Sequence, residues 1–188
     1  HDANAAVETS KLDLAVSGDG YVAAGGAIDV SAKGHVDLYG PGTNNDGVKH
    51  NRASSHGGRG NAGNDGSPIP CYGSVYCPTN IGSGGGYSST PASHGGGAAR
   101  LAFGGTLVLD GSVAADGGDS NAEHYPPTGG SLFVTAQALA GSGILSACGG
   151  GASITPGSGG GRIAIRLGGA NVFAGTIRAR GSASLATG

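Results

Sequence analysis

The chain has 188 residues, 42 of them glycine, with 12% charged residues, 37% hydrophobic residues and a formal charge of −2. Collagen is excluded because Lys11-Leu-Asp-Leu-Ala-Val16 carries no glycine at every third position. Disorder is disfavoured by the low charge and by apolar residues set in strand-like alternation. The absence of a basic stripe with stacking aromatics argues against nucleic-acid binding.

A chain without Met or Trp, and with only three Phe, must build its core from Ala, Val, Leu and Ile. Such residues suit a narrow solenoid better than a wide sandwich. The sequence opens at His1 with no initiator Met, no signal peptide and no apolar run of about 18 residues. A soluble chain with no membrane span is expected, either processed or part of a longer protein.

In chain order, the first strands are read at Lys11-Leu-Asp-Leu14 and Ala27-Ile-Asp-Val-Ser-Ala-Lys-Gly34. A loop-rich insertion follows, from about residue 39 to about residue 97. Three later segments then align: Ala99-Arg-Leu-Ala-Phe103, Gly130-Ser-Leu-Phe-Val134 and Gly161-Arg-Ile-Ala-Ile165. Their first large apolar residues, Leu101, Leu132 and Ile163, are spaced by 31 (132 − 101 and 163 − 132). A second strand follows each, aligned on Val113, Ile144 and Ile177.

Alternation turns every second residue inward, so Leu12/Leu14, Leu101/Phe103, Leu132/Val134 and Ile163/Ile165 are expected to stack. One such strand pair cannot bury its apolar face alone, whereas stacked copies can. The expected fold is a single all-β domain over residues 1–188, a parallel β-helix (solenoid) with glycine-rich corners and one long loop insertion. Runs such as Gly82-Ser-Gly-Gly-Gly86 and Gly157-Ser-Gly-Gly-Gly161 serve as corners rather than phosphate cradles. No P-loop Lys-Ser/Thr follows either run.

Cys71 and Cys77 bracket one short loop, Cys-Tyr-Gly-Ser-Val-Tyr-Cys, and a disulfide is expected to close it in an oxidising compartment. Cys148 is read as a small buried residue rather than a reactive one, with a covalent link between subunits as the alternative. The insertion is also rich in Asn, Asp and Gly. Asp46 and Asp65 are its candidate Ca²⁺ ligands, but the EF-hand spacing is absent and Asn-Asp-Gly is ordinary turn sequence. The turn reading is preferred, and no metal or other cofactor is expected beyond that Ca²⁺ alternative.

Asp116, Asp119, Glu123 and His124 form the best cluster for acid–base chemistry, but they fall in a turn and lack Trp sugar platforms. No enzymatic activity is expected. Tyr39, Tyr72, Tyr76, Tyr87 and Tyr125 fall in loops, where they cover the solenoid flank or contact glycans or a neighbouring subunit.

Several stretches carry a resemblance: Tyr72-Gly-Ser-Val-Tyr-Cys-Pro-Thr-Asn-Ile-Gly-Ser-Gly-Gly-Gly86, Gly95-Gly-Gly-Ala-Ala-Arg-Leu101, Gly105 to Gly117, Leu139 to Gly150 and Gly159-Gly-Gly-Arg-Ile-Ala-Ile165. They resemble the glycine-rich β-helical repeat regions of large secreted bacterial surface and adhesin-type proteins. The resemblance covers most of the chain after about residue 55. It implies a right-handed solenoid at an extracellular or cell-surface location, with no shared catalytic residues.

Charge placement is the remaining signal. Residues 1–40 hold Asp2, Glu8, Asp13, Asp19, Asp29 and Asp37 against Lys11 and Lys33, whereas residues 160–188 hold Arg162, Arg166, Arg178 and Arg180 with no acid. The repeat puts Asp29 and Arg178 in one column. No capping helix or charged plug is legible at either end, and open strand edges invite pairing. Head-to-tail self-stacking into a filament is therefore expected, through Asp13, Asp29, Asp37, Arg162, Arg166, Arg178 and Arg180. The alternative is an adhesin or phage-type receptor-binding module whose insertion loops contact cell-surface glycans.

Overall fold

A computed structural model describes residues 11–44, 53–61, 69–86, 93–119, 125–151 and 157–182. Among these residues there is no helix, and so none long and apolar enough to cross a membrane. Short β-rich segments between glycine corners form the strands β1 (Leu12–Val16), β2 (Gly20–Val22), β3 (Ala27–Asp29), β4 (Ala98–Phe103), β5 (Thr106–Leu109) and β6 (Ser112–Ala114). They continue as β7 (Ser131–Ala136), β8 (Ala138–Ala140), β9 (Ile144–Ser146), β10 (Arg162–Leu167) and β11 (Thr176–Arg178).

All strand pairs are parallel. Three sheets result, ordered β1-β4-β7-β10, β2-β5-β8 and β11-β9-β6-β3. The chain thus visits the three sheets in turn, and each of its first three circuits adds one strand to each sheet. In the fourth circuit the middle sheet is continued only by an isolated bridge from Leu139 to Asn171.

Inward side chains of successive circuits lie in columns. Leu14, Leu101, Val134 and Ile165 make one, and Leu12, Ala99, Leu132 and Ile163 make the next. On the third sheet the column is Ile28, Val113, Leu145 and Ile177. Leu101, Leu107, Leu109, Leu132, Leu139, Leu145, Val113 and Val134 are fully buried. Burying each such side chain stabilises by about 1.5–3 kcal/mol. Of the members from the first and last circuits, Leu14, Ile28, Ile163 and Ile165 are only partly covered, and Leu12 and Ile177 are exposed.

Two expected alignments are corrected. Leu101 pairs with Val134, and Leu132 pairs with Ala99, so β4 is shifted by two residues from the alignment on Leu101 and Leu132. A two-residue slip leaves every side chain on its original face, so hydrophobic alternation cannot detect it. The corners decide instead. The Ser131 N–H donates to the Gly97 carbonyl at 3.0 Å and the Arg162 N–H to the Gly130 carbonyl at 2.9 Å, which aligns Gly97, Gly130 and Gly161.

The same logic moves Leu145, rather than Ile144, into the core. The Ile144 N–H donates to the Gly111 carbonyl, the Thr176 N–H to the Gly143 carbonyl, and Ile144 points outward, 38% exposed.

Much of the described part of the insertion is a packed layer rather than loops standing off the sheets. Its described residues Ala53–His56, Ile81–Gly86 and Ser93–Gly97 are mostly buried. They run as extended glycine-rich segments, hydrogen-bonded sideways to the corners: Gly34 N–H to Gly95 O at 2.6 Å, His35 N–H to Gly82 O at 3.0 Å, Gly96 N–H to Thr128 O at 2.9 Å and Gly57 N–H to Gly160 O at 2.9 Å. Backbones at this separation leave no room for side chains. A Cβ on Gly130 would overlap the Gly97 carbonyl, and one on Gly84 would overlap the Val36 carbonyl.

Gly130→Ala should therefore destabilise the fold by about 1–3 kcal/mol or more. Gly18→Ala, where an added Cβ meets nothing within 4 Å, should change stability by no more than about 0.5 kcal/mol. Urea unfolding of the two variants checks this contrast, and equal effects would contradict the close-packed corner.

Candidate assembly interface

Parallel ladders also line up the outward side chains, about 4.8 Å apart along a column. One outward column of the third sheet runs Asp29, Ala114, Ser146, Arg178. Asp29 of the first circuit and Arg178 of the last thus occupy opposite ends of one column. The Asp29 carboxylate accepts the Ser31 N–H at 2.8 Å and is otherwise on an exposed strand. Arg178 donates through Nε to the Ser146 hydroxyl at 3.0 Å, and that hydroxyl donates to Asp116 Oδ1 at 2.6 Å. Asp116 Oδ1 also accepts the Cys148 N–H at 2.5 Å. Arg178 is held in place by this relay, which engages only one of its five guanidinium N–H donors.

On the first sheet, Asp13 pairs with Arg100 of the next circuit at 2.9 Å, with both side chains largely exposed. Such a pair is worth about 0–1 kcal/mol. Arg166 lies over the Phe133 ring, 5.6 Å from its centroid, where a cation meets the negative face of the ring. Arg162 donates through Nε to the Tyr72 carbonyl at 2.9 Å and so pins the insertion to the sheet. Arg180 is exposed two residues beyond Arg178.

Asp37 does not belong to this surface. It is 7% exposed within the glycine layer and accepts the Ser93 N–H at 2.9 Å and the Ser93 hydroxyl at 3.1 Å. Its carboxylate caps a packed segment because the insertion folds back over it.

The expected disulfide is also corrected: Cys71 and Cys77 are both exposed free cysteines. Their loop is closed by Ser74, whose hydroxyl accepts the N–H groups of Tyr76 at 3.2 Å and Cys77 at 3.1 Å, with Gly73 at φ 80°. The turn is complete without a covalent bridge. The Ca²⁺ candidates Asp46 and Asp65 lie outside the described residues, as do Glu123 and His124 of the acid–base cluster. Asp116 of that cluster is engaged in the relay above, and Asp119 is exposed. Among the described residues no group of three or more His, Cys, Asp or Glu could hold a metal ion.

Sequence reasoning missed a set of buried polar side chains in the glycine layer. His56 is fully buried, stacks on Tyr72 at 4.4 Å between ring centroids, and contacts the Gly129 carbonyl through Nδ1 at 2.7 Å. The Tyr72 hydroxyl donates to Ile81 O at 2.7 Å and accepts from the Ser83 hydroxyl at 3.0 Å. Buried polar atoms require partners of this kind. The legible signal was single Ser or His residues embedded in glycine runs. Of the loop tyrosines, Tyr72 covers the flank, while Tyr76 stands out at 74% exposure.

No family model matches the chain, and neither curated proteins nor solved structures give a match.

Native protein titrated with a thiol reagent without prior reduction should yield two fast-reacting cysteines, Cys71 and Cys77, and a slower Cys148. A native titration in which the first two react only after reductant would reinstate the bridge.

Proposed function

We propose that the chain is an extracellular structural subunit of a surface fibre, a right-handed parallel β-helix that extends by head-to-tail stacking of copies. The three parallel sheets, visited in turn on each circuit, support the helical reading. Handedness follows from the strong preference, about 98%, for right-handed crossovers between parallel strands. The extracellular setting rests on the resemblance of the glycine repeat to secreted surface proteins, because the free thiols remove the argument from redox compartment.

The observation that carries the reading is the single column with Asp29 at one end and Arg178 at the other. Large apolar residues left exposed also concentrate at the ends. Leu12 and Tyr21 lie in the first circuit, and Val172 and Ile177 in the last. A contact between unlike ends does not close on itself, so it propagates as a filament.

A second reading has its own observation. Val75 and Tyr76, 60% and 74% exposed, stand out on the Cys71–Cys77 loop of the insertion, which suits an adhesin-type contact with cell-surface glycans.

Negative-stain microscopy and sedimentation of the purified chain discriminate between the two. Linear particles that lengthen with concentration are expected, each copy adding roughly 19 Å for four rungs at the strand spacing. A chain that stays monomeric and binds glycans through Tyr76, with binding lost in Tyr76→Ala, would favour the adhesin reading.

A further inference from the structure

The junction between two copies can be specified residue by residue. Each sheet adds circuits in one direction, so a further copy continues the ladders if its first circuit follows the last in parallel register. Asp29 of the second copy then falls directly across from Arg178, in the position that Ser146 holds on the other side of Arg178. Arg180 lies two residues further on, a diagonal neighbour at about 7–8 Å. The hydrogen bond from Ser31 N–H draws the Asp29 carboxylate toward that diagonal. Arg178 can turn its terminal nitrogens to this contact, because its hydrogen bond to the Ser146 hydroxyl uses Nε.

The inward columns agree with the same register. Ile28 of the second copy covers Ile177, which is 50% exposed, and Leu12 and Leu14 cover Ile163 and Ile165. On the first sheet, Asp13 of the second copy falls across from Ala164, diagonal to both Arg162 and Arg166. Lys11, next along that strand, falls near Arg162 and opposes the gain there. Sheet one is therefore close to neutral, and the electrostatic key lies on the third sheet.

We infer that a second copy of this chain seats its first circuit on the last circuit in this register, with Asp29 set against Arg178 as the register-determining pair. The inference rests on the self-stacking reading above and adds the partner surface and its alignment.

Charge exchange tests it. Asp29→Arg and Arg178→Asp should each raise the critical concentration for assembly about tenfold, by sedimentation, because like charges then face each other across the junction. An equimolar mixture of the two variants should assemble like the original chain, since every junction in an alternating polymer again pairs Arg with Asp. Asp29→Arg carries the test alone should Arg178→Asp perturb its own relay, because Asp29 is exposed and bonds only within its turn.

Assembly of the original chain with no loss in Asp29→Arg would overturn this register while leaving self-stacking intact. A mixture that fails to recover when both variants fold would also overturn the register. An original chain that never assembles would remove the self-stacking reading itself, and the junction with it.

Discussion

Backbone-to-backbone contact between glycines is the constraint on which the rest of this molecule depends. At Gly97, Gly130 and Gly161 the chain of one circuit lies so close to the next that a methyl group would overlap a carbonyl oxygen. These contacts set where each strand begins, and the strand start sets which aliphatic side chains meet inside. Hydrophobic burial supplies most of the stabilisation, but it is indifferent to slips of two residues. The corners remove that indifference.

The same close approach explains the insertion. Extended glycine segments lack the side chains that would bury apolar surface, so they gain stability from lateral hydrogen bonds and tight backbone packing. Isolated polar side chains complete the layer. Ser55 donates to the Ile69 carbonyl at 2.7 Å, Ser158 to the Pro127 carbonyl at 2.7 Å, and the Thr128 hydroxyl accepts the Ser83 N–H at 2.8 Å. Asp37 belongs to this set. A carboxylate that reads as surface charge in a one-dimensional pattern is here a buried acceptor for a neighbouring segment.

Much of the fold was legible in the sequence. Alternation located the strands of the first and third sheets, and the repeat placed Asp29 and Arg178 in one column. The short middle sheet was less visible, because β2 and β8 are three-residue strands between glycines. Register within two residues was not recoverable from apolar pattern, and the choice of Leu145 over Ile144 rests on a glycine alignment that apolar pattern does not encode. The burial of His56 and Asp37 arises from contacts between segments far apart in sequence, which local pattern does not encode. The cysteine spacing suggested a bridge, yet Ser74 closes the same turn with hydrogen bonds alone.

The proposed self-stacking places function at the ends of the stack, where partly covered aliphatic columns and opposite charges coincide. Those features have a consistent meaning only if the corner glycines hold the circuits in the register described. Isotope-edited nuclear Overhauser contacts between backbone amide and Hα protons measure that register directly. In this register, cross-strand contacts pair Leu101 with Val134 and Leu132 with Ile163. Contacts that pair Leu101 with Leu132 would contradict it.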